Sequence, residues 1–138
     1  MPVRSTLHLV LDGRRAAAEA RHAALGFLTA PEQGRPALEP FAVDSALLVI
    51  SELVTNAVRH TPGPCALDLR LRPDGVDIDV TDPSSAEPKP RQPGRQGEGG
   101  WGWHLVNRLG TDIRIRHHGV GYGKTVHVRV PSCGAHSA

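Results

Sequence analysis

The stretch from residue 43 to residue 60 constrains the fold most, because its apolar residues repeat with the period of one long amphipathic helix. At about 100° per residue, one narrow strip of this helix is polar and holds Ser45, Glu52, Asn56 and Arg59. The opposite side is apolar and holds Ala46, Leu47, Ile50, Leu53, Val54, Ala57 and Val58. A carboxylate, a carboxamide and a guanidinium aligned in this way could present a base, a metal ligand and a phosphate clamp on one rigid helix.

Length and composition favour one globular domain that spans residues 1–138. The net charge of +2 gives no reason to expect a nucleic-acid or membrane partner. The two cysteines, Cys65 and Cys133, lie far apart and lack the spacing of a zinc or redox motif. We expect neither an apolar N-terminal leader nor a membrane-spanning stretch of about 18 apolar residues, so the expected location is the cytoplasm.

The N-terminal part of the chain predicts a strand and then a helix. Leu7, Leu9 and Leu11 alternate as the inward residues of a half-buried strand do. Asp12 is expected to cap a helix over residues 14–28, which Pro31 ends. We expect this first helix to be structural.

The clearest hairpin of the sequence covers residues 65–82, with Pro73-Asp74-Gly75 as its turn. A period of two places Asp82 on the inward face of the second strand, whereas Asp77 and Asp79 face outward. An inward carboxylate must find hydrogen-bond donors, because an unpaired buried charge is very costly. Asp82 is therefore either bound to a loop backbone or available to a ligand.

Residues 83–99 have no periodicity and almost no apolar content, which predicts a long mobile loop. The loop is either a lid over a site or a disordered excursion. After it, Gly100 and Gly102 open a short helical pattern that Gly110 ends. Glycines at a helix start can bring backbone N–H groups to a phosphate, although most such matches are plain turns.

The chain closes with a second predicted hairpin, made of residues 112–117 and 124–130, and a short tail from about residue 131 to 138. In its last strand, Lys124 lies on the face of the inward valines and Thr125 on the other. The complete order of elements predicts an α+β fold, a two-layer sandwich with helices on one face of a mostly antiparallel sheet.

These motifs together resemble the ATP-binding domain shared by histidine kinases, Hsp90, gyrase and MutL, the GHKL or Bergerat-fold superfamily. Within it, the chain is most similar to the small bacterial anti-sigma factor serine/threonine kinases. Residues 51–60 look like the N box, Asp82 like the aspartate of the first glycine box, and Gly100 and Gly102 like the second. The resemblance covers nearly the whole chain.

The resemblance implies a Mg²⁺–ATP site and assigns a role to each matching residue. Asn56 would bind Mg²⁺, Arg59 would contact phosphate, and Glu52 would be the general base. Asp82 would accept the adenine amino group, Gly100 and Gly102 would hold the phosphates, and residues 83–99 would form the ATP lid. Lys124 and Thr125, at the start of the last strand, are also assigned to the nucleotide site.

The sequence departs from the family pattern at three places. Pro83-Ser84-Ser85 follows Asp82, where the family has glycines. The lid is rich in proline. In the last strand the family often has Gly-Thr, whereas here Lys124 takes the inward position and Thr125 points away.

Two functions of different classes follow from the resemblance. The first is a Mg-ATP-dependent protein serine/threonine kinase and anti-sigma factor that acts on an anti-anti-sigma partner of the STAS type. The second is a nucleotide-dependent protein-binding module with little or no kinase activity. A sigma factor and a second copy of the chain are further expected partners. Nucleic-acid binding through Arg114, Arg116 and Arg129 ranks below both, because no recognition element accompanies these residues.

Overall fold

The computed structural model describes residues 5–30, 38–60, 63–83, 102–119 and 123–132, with the side chain of residue 60 left aside. In chain order the elements are β1 (Thr6–Leu11), α1 (Ala16–Thr29), α2 (Pro40–His60), β2 (Cys65–Arg72), β3 (Gly75–Asp82), α3 (Gly102–Leu109), β4 (Thr111–His117) and β5 (Lys124–Pro131). The five strands form one sheet in the order β1-β2-β3-β5-β4, and every neighbouring pair is antiparallel. The predicted α+β sandwich is confirmed.

The core lies between the sheet and the helices. The inward-facing residues alternate along the strands as predicted. The almost fully buried ones include Leu67 and Leu69 of β2, Ile78 and Val80 of β3, and Val128 of β5. Leu7 and Leu9 of β1 are half-buried and pack against the edge of this core. The inward face of the sheet is therefore continuous and apolar except at one end.

Helix α2 is the central element of the helical layer. Its predicted apolar face is buried or packed against the core, with Ala46, Ile50, Leu53, Val54 and Ala57 each 4% exposed or less. Ser45, which the sequence placed on the polar strip, is also buried. The strip that reaches the surface consists of Glu52 and Asn56, both half-buried, and the exposed Arg59.

The segment Pro40–Arg59 corrects the expectation that no stretch is long and apolar enough to cross a membrane. A window of 18 residues within this 20-residue segment has a mean hydropathy of 1.6, which passes that test by length and composition. About half of it, 56%, is nevertheless buried within the domain, as in the core helix of a globular fold. The same apolar content that meets the membrane criterion supplies the core here.

Helix α1 begins later than the sequence suggested, and Asp12 does not cap it. Gly13 adopts a positive φ of 83°, and its carbonyl accepts a hydrogen bond from the N–H of Ala16. Arg15 stands at the N-cap position without a side-chain hydrogen bond to the helix. Because the chain turns at Gly13, α1 starts at Ala16, and Arg15 instead of Asp12 takes the N-cap position.

Candidate nucleotide site at the ends of the second and third helices

The polar strip of α2 faces the start of α3. A methyl group added at Gly102, the first residue of α3, would overlap the Oε1 atom of Glu52 and lie 2.7 Å from its Cδ atom. The side chain of Glu52 therefore occupies the space that any larger residue at position 102 would need. The structure brings together two predicted site residues that are 50 positions apart in the chain.

The contact places the Glu52 side chain at the N-terminal end of α3. The N-terminus of a helix carries unpaired N–H groups and a partial positive charge, which stabilise a nearby carboxylate or phosphate. Glu52 places its carboxylate there from the neighbouring helix. The same position would also attract the phosphates of a nucleotide.

Asn56 lies one turn after Glu52 on the same strip and is half-buried. Its carboxamide oxygen and the Glu52 carboxylate are hard oxygen donors of the kind that Mg²⁺ prefers, and Mg²⁺ usually keeps several waters and binds substrate phosphates. The donors present fit Mg²⁺ held mainly by a nucleotide. Among the described residues, no three His, Cys, Asp or Glu side chains cluster as they would around a metal held by protein alone.

Asp82 and Lys124 form a buried ion pair at the end of the sheet. They are directly opposite each other on β3 and β5, and the Nζ atom of Lys124 lies 3.2 Å and 3.1 Å from the two carboxylate oxygens of Asp82. The side chains are only 3% and 5% exposed for Asp82 and Lys124, respectively. Both predicted inward orientations are found, and the two charges neutralise each other.

Backbone packing holds this pair in place. Gly123 has a positive φ of 86°, and a methyl group there would overlap the carbonyl oxygen of Asp82 and lie 2.7 Å from the Cα atom of Pro83. The close approach of β5 to the end of β3 therefore requires glycine at this position. It places Lys124, the next residue, directly opposite Asp82.

Cys65 belongs to the same end of the sheet. Burial, and then the negative charges of Asp82 and Asp12, raise the pKa of its thiol. The thiol is 3% exposed and carries no disulfide. Its environment identifies Cys65 as a core residue close to the Asp82 carboxylate.

Thr125 faces away from the ion pair, on the outer face of the sheet. Its hydroxyl lies 2.8 Å from that of Thr81 and 2.7 Å from the Nε2 atom of His118. The structure therefore brings Asp82 and Lys124 together and leaves Thr125 on the opposite face. The assignment of Thr125 to the nucleotide site stays a prediction, and this orientation does not favour it.

The remaining predicted site residues differ in position. Arg59 lies at the exposed end of the α2 strip. Gly100 and the predicted lid beyond Pro83 lie outside the described residues. The described residues thus form two groups: Glu52, Asn56 and Gly102 lie where α2 meets the start of α3, and Asp82 lies with Lys124 at the end of the sheet.

The outer face of the sheet carries a polar network that the sequence did not indicate. Asp77 was predicted to face outward, and it does, but it is only 6% exposed because Arg72 and Arg129 both pair with its carboxylate. Burial alone would raise the pKa of Asp77, but hydrogen bonds and charges from Arg129 and Arg72 outweigh it and lower the pKa. Cavities of about 420 Å³ and 450 Å³ adjoin this network and meet at Asp79 and His127.

Comparison with known proteins identifies the family. The family model of the histidine kinase-like ATPase domain matches residues 14–130, which is most of the chain. The chain belongs to the histidine kinase-like ATPase family. This membership confirms the superfamily resemblance found in the sequence, and it supports an ATP-binding role for the site described above.

A solved structure extends the comparison. The ATPase domain is similar to the crystal structure of the RsbU and RsbW domains of Rv1364c from Mycobacterium tuberculosis, with a TM-score of 0.58 and 25% sequence identity. The match covers 96% of this chain but 33% of that one, so this ATPase domain spans about a third of its length. A comparison with curated proteins finds no significant match.

Proposed function

We propose that this ATPase-family domain is a Mg-ATP-dependent protein serine/threonine kinase that regulates a sigma factor through an anti-anti-sigma partner. The observation that carries the proposal is the contact between Glu52 and Gly102. It sets a carboxylate beside the N-terminus of α3, one helical turn from the carboxamide of Asn56. The family match and the similarity to a structure that contains an RsbW domain support the same role.

The residues have separable tasks in this proposal. The N–H groups at the start of α3 and the exposed Arg59 would bind phosphate oxygens, and Asn56 would hold Mg²⁺. Mg²⁺ supplies charge neutralisation at the transferred phosphoryl group. Glu52 would accept the proton of a serine or threonine hydroxyl on the partner as that oxygen bonds to the γ-phosphorus of ATP. The bond from the γ-phosphorus to the bridging oxygen breaks in the same transfer, and ADP leaves. The residues of this chain thus orient the reactants and remove one proton.

A test of this chemistry measures transfer of labelled phosphate from ATP to a candidate STAS-type protein. Glu52→Gln removes the base but keeps the size of the side chain, and we expect phosphotransfer to fall about 10²- to 10⁴-fold. Glu19→Gln is the matched control, because Glu19 is an exposed carboxylate on α1. Equal transfer rates in the wild type and Glu52→Gln would contradict the role of Glu52 as base.

A nucleotide-dependent binding module without phosphotransfer is the second candidate. The observation that favours it is the buried pairing of Asp82 with Lys124, which engages the carboxylate assigned to adenine. In this case ATP would change the affinity for the protein partner, and no label would be transferred. Partner binding measured with and without ATP, beside the phosphotransfer assay, separates the two functions.

The location and the assembly belong to the same proposal. A kinase that acts on a sigma-factor regulator works in the cytoplasm, and we propose that location here. We also propose a homodimer, which the resemblance implies. Light scattering of the purified chain gives its mass in solution directly.

A further inference from the structure

The Asp82–Lys124 pair lies where the proposed function places the adenine base, and the inference drawn from it rests on that function. Each oxygen of Asp82 is within 3.2 Å of the Lys124 ammonium. Hydrogen bonds between ionised groups are about twice as strong as neutral ones. A neutral adenine amino group would therefore compete with a stronger donor that belongs to the protein itself.

We propose that Lys124 sets the nucleotide affinity of this domain by occupying the carboxylate that would otherwise bind adenine. The pair is almost completely buried, with 3% and 5% of its side chains exposed, so neither charged end is open to solvent. Binding of a base at Asp82 requires Lys124 to move away from its counter-ion. That movement leaves an ammonium group in a poorly solvated position, and its cost weakens binding.

The geometry around the pair supports this role for Lys124. Gly123 packs against the carbonyl oxygen of Asp82, so the backbone on both sides of the pair is held at close contact. Lys124 cannot retreat by a shift of β5 and must change its side-chain conformation instead. The residue therefore controls access to Asp82 through one long and flexible side chain.

Lys124→Thr provides the direct test. Threonine is too short to pair with Asp82 as an ammonium does, but its hydroxyl can still donate one hydrogen bond. We expect the affinity for Mg-ATP to rise about tenfold or more in this variant. Lys124→Arg is the comparison variant, because arginine keeps a cation opposite Asp82, and we expect its affinity not to rise above that of the wild type.

Base discrimination provides a readout that a purely structural lysine would not change. A freed Asp82 carboxylate accepts hydrogen bonds from the amino group of adenine, whereas guanine has a carbonyl oxygen at the same ring position. We expect Lys124→Thr to prefer Mg-ATP over Mg-GTP by about tenfold or more, and the wild type to discriminate less. Unchanged discrimination in Lys124→Thr would overturn the inference.

Cys65 can report the opening of this end of the sheet. In a Cys133→Ser background it is the only thiol, and in the wild-type site its burial makes it slow to react with a thiol reagent. We expect Lys124→Thr to react faster and added Mg-ATP to slow the reaction again. If Mg-ATP leaves the labelling rate of Cys65 unchanged, that result would contradict nucleotide binding beside Asp82.

The binding titrations distinguish failure of this inference from failure of the proposed function. If the wild type binds Mg-ATP and Lys124→Thr binds it equally or more weakly, only the inference is wrong. If neither protein binds, the proposed function is wrong as well. If Lys124→Thr does not fold, Lys124→Gln replaces it, since glutamine keeps a hydrogen-bond donor of similar length without the charge. We then expect the affinity for Mg-ATP to rise severalfold. No rise would again overturn the inference.

Discussion

Substitution of Gly102 by alanine should separate the stability of this protein from the phosphotransfer activity proposed for it. The added methyl group would overlap the Oε1 atom of Glu52, so the carboxylate must leave the N-terminus of α3. The backbone at Gly102 is helical and has no positive φ, so alanine causes no backbone strain there. The obstacle is the flexible end of a side chain, which can move at low cost.

Gly102→Ala is therefore expected to change the free energy of unfolding little and the phosphotransfer rate strongly. Alanine is about 0.8–1.0 kcal/mol more favourable than glycine in a helix interior, and the gain is smaller at a first helical residue. We expect the free energy of unfolding of Gly102→Ala to stay within about 1 kcal/mol of the wild type. A misplacement of catalytic groups by about 1 Å can cost 10²-fold in rate, and we expect phosphotransfer to fall by about that factor.

Gly26→Ala is the matched control, since Gly26 is a glycine of α1 with no neighbouring atom within 4 Å of an added methyl group. It adds the same methyl group without touching the site. Urea unfolding gives the stability of both variants, and phosphotransfer from labelled ATP gives their activity. Full activity in Gly102→Ala, or equal losses of activity in both variants, would show that the position of Glu52 beside α3 does not matter for phosphotransfer.

Two further predictions concern the sheet. Gly123 and Gly13 both have positive φ, but only a methyl group at Gly123 meets the backbone of β3. We expect Gly13→Ala to lower the free energy of unfolding by about 1–2 kcal/mol. Gly123→Ala should lower it by at least about 1 kcal/mol more, as urea unfolding can measure. The folded-state pKa of Asp77 is lowered, so its pairing stabilises the fold above the unfolded-state pKa and is lost as pH falls through the folded-state value. Stability of the wild type should thus fall more than that of Asp77→Asn between about pH 5 and pH 3.

Each of these predictions has a result that contradicts it. Equal losses of stability in Gly123→Ala and Gly13→Ala would show that β5 does not approach β3 as closely as described. Parallel loss of stability on acidification in the wild type and Asp77→Asn would show that Asp77 does not contribute through its ionised form.

Most secondary structure follows from the period of the apolar residues. The alternation of Leu67 and Leu69 with polar neighbours predicts β2, and the same pattern predicts β3 and β5. The apolar face of α2 is predicted almost completely, because one broad hydrophobic side at helical spacing admits few alternatives. The spacing of Glu52 and Asn56, four residues apart, also places both side chains on one face of this helix.

The contacts between distant residues do not follow from local patterns. Asp82 and Lys124 are each predicted to face inward, but their pairing depends on β3 and β5 being neighbours in register. The contact of Glu52 with Gly102 depends on where α3 packs against α2. Asp77 is buried on the outer face because two arginine side chains cover it, and a period of two does not contain that information.

We propose that the polar strip of α2 and the start of α3 form a Mg-ATP site. Isothermal titration of Mg-ATP into the wild type, Asn56→Ala and Asn107→Ala tests it most directly, because Asn107 is an exposed asparagine whose side chain donates to the carbonyl oxygen of Trp103 in its own helix. We expect saturable binding that weakens about tenfold or more in Asn56→Ala and is unchanged in Asn107→Ala. Absence of saturable binding, or equal binding by all three proteins, would contradict it.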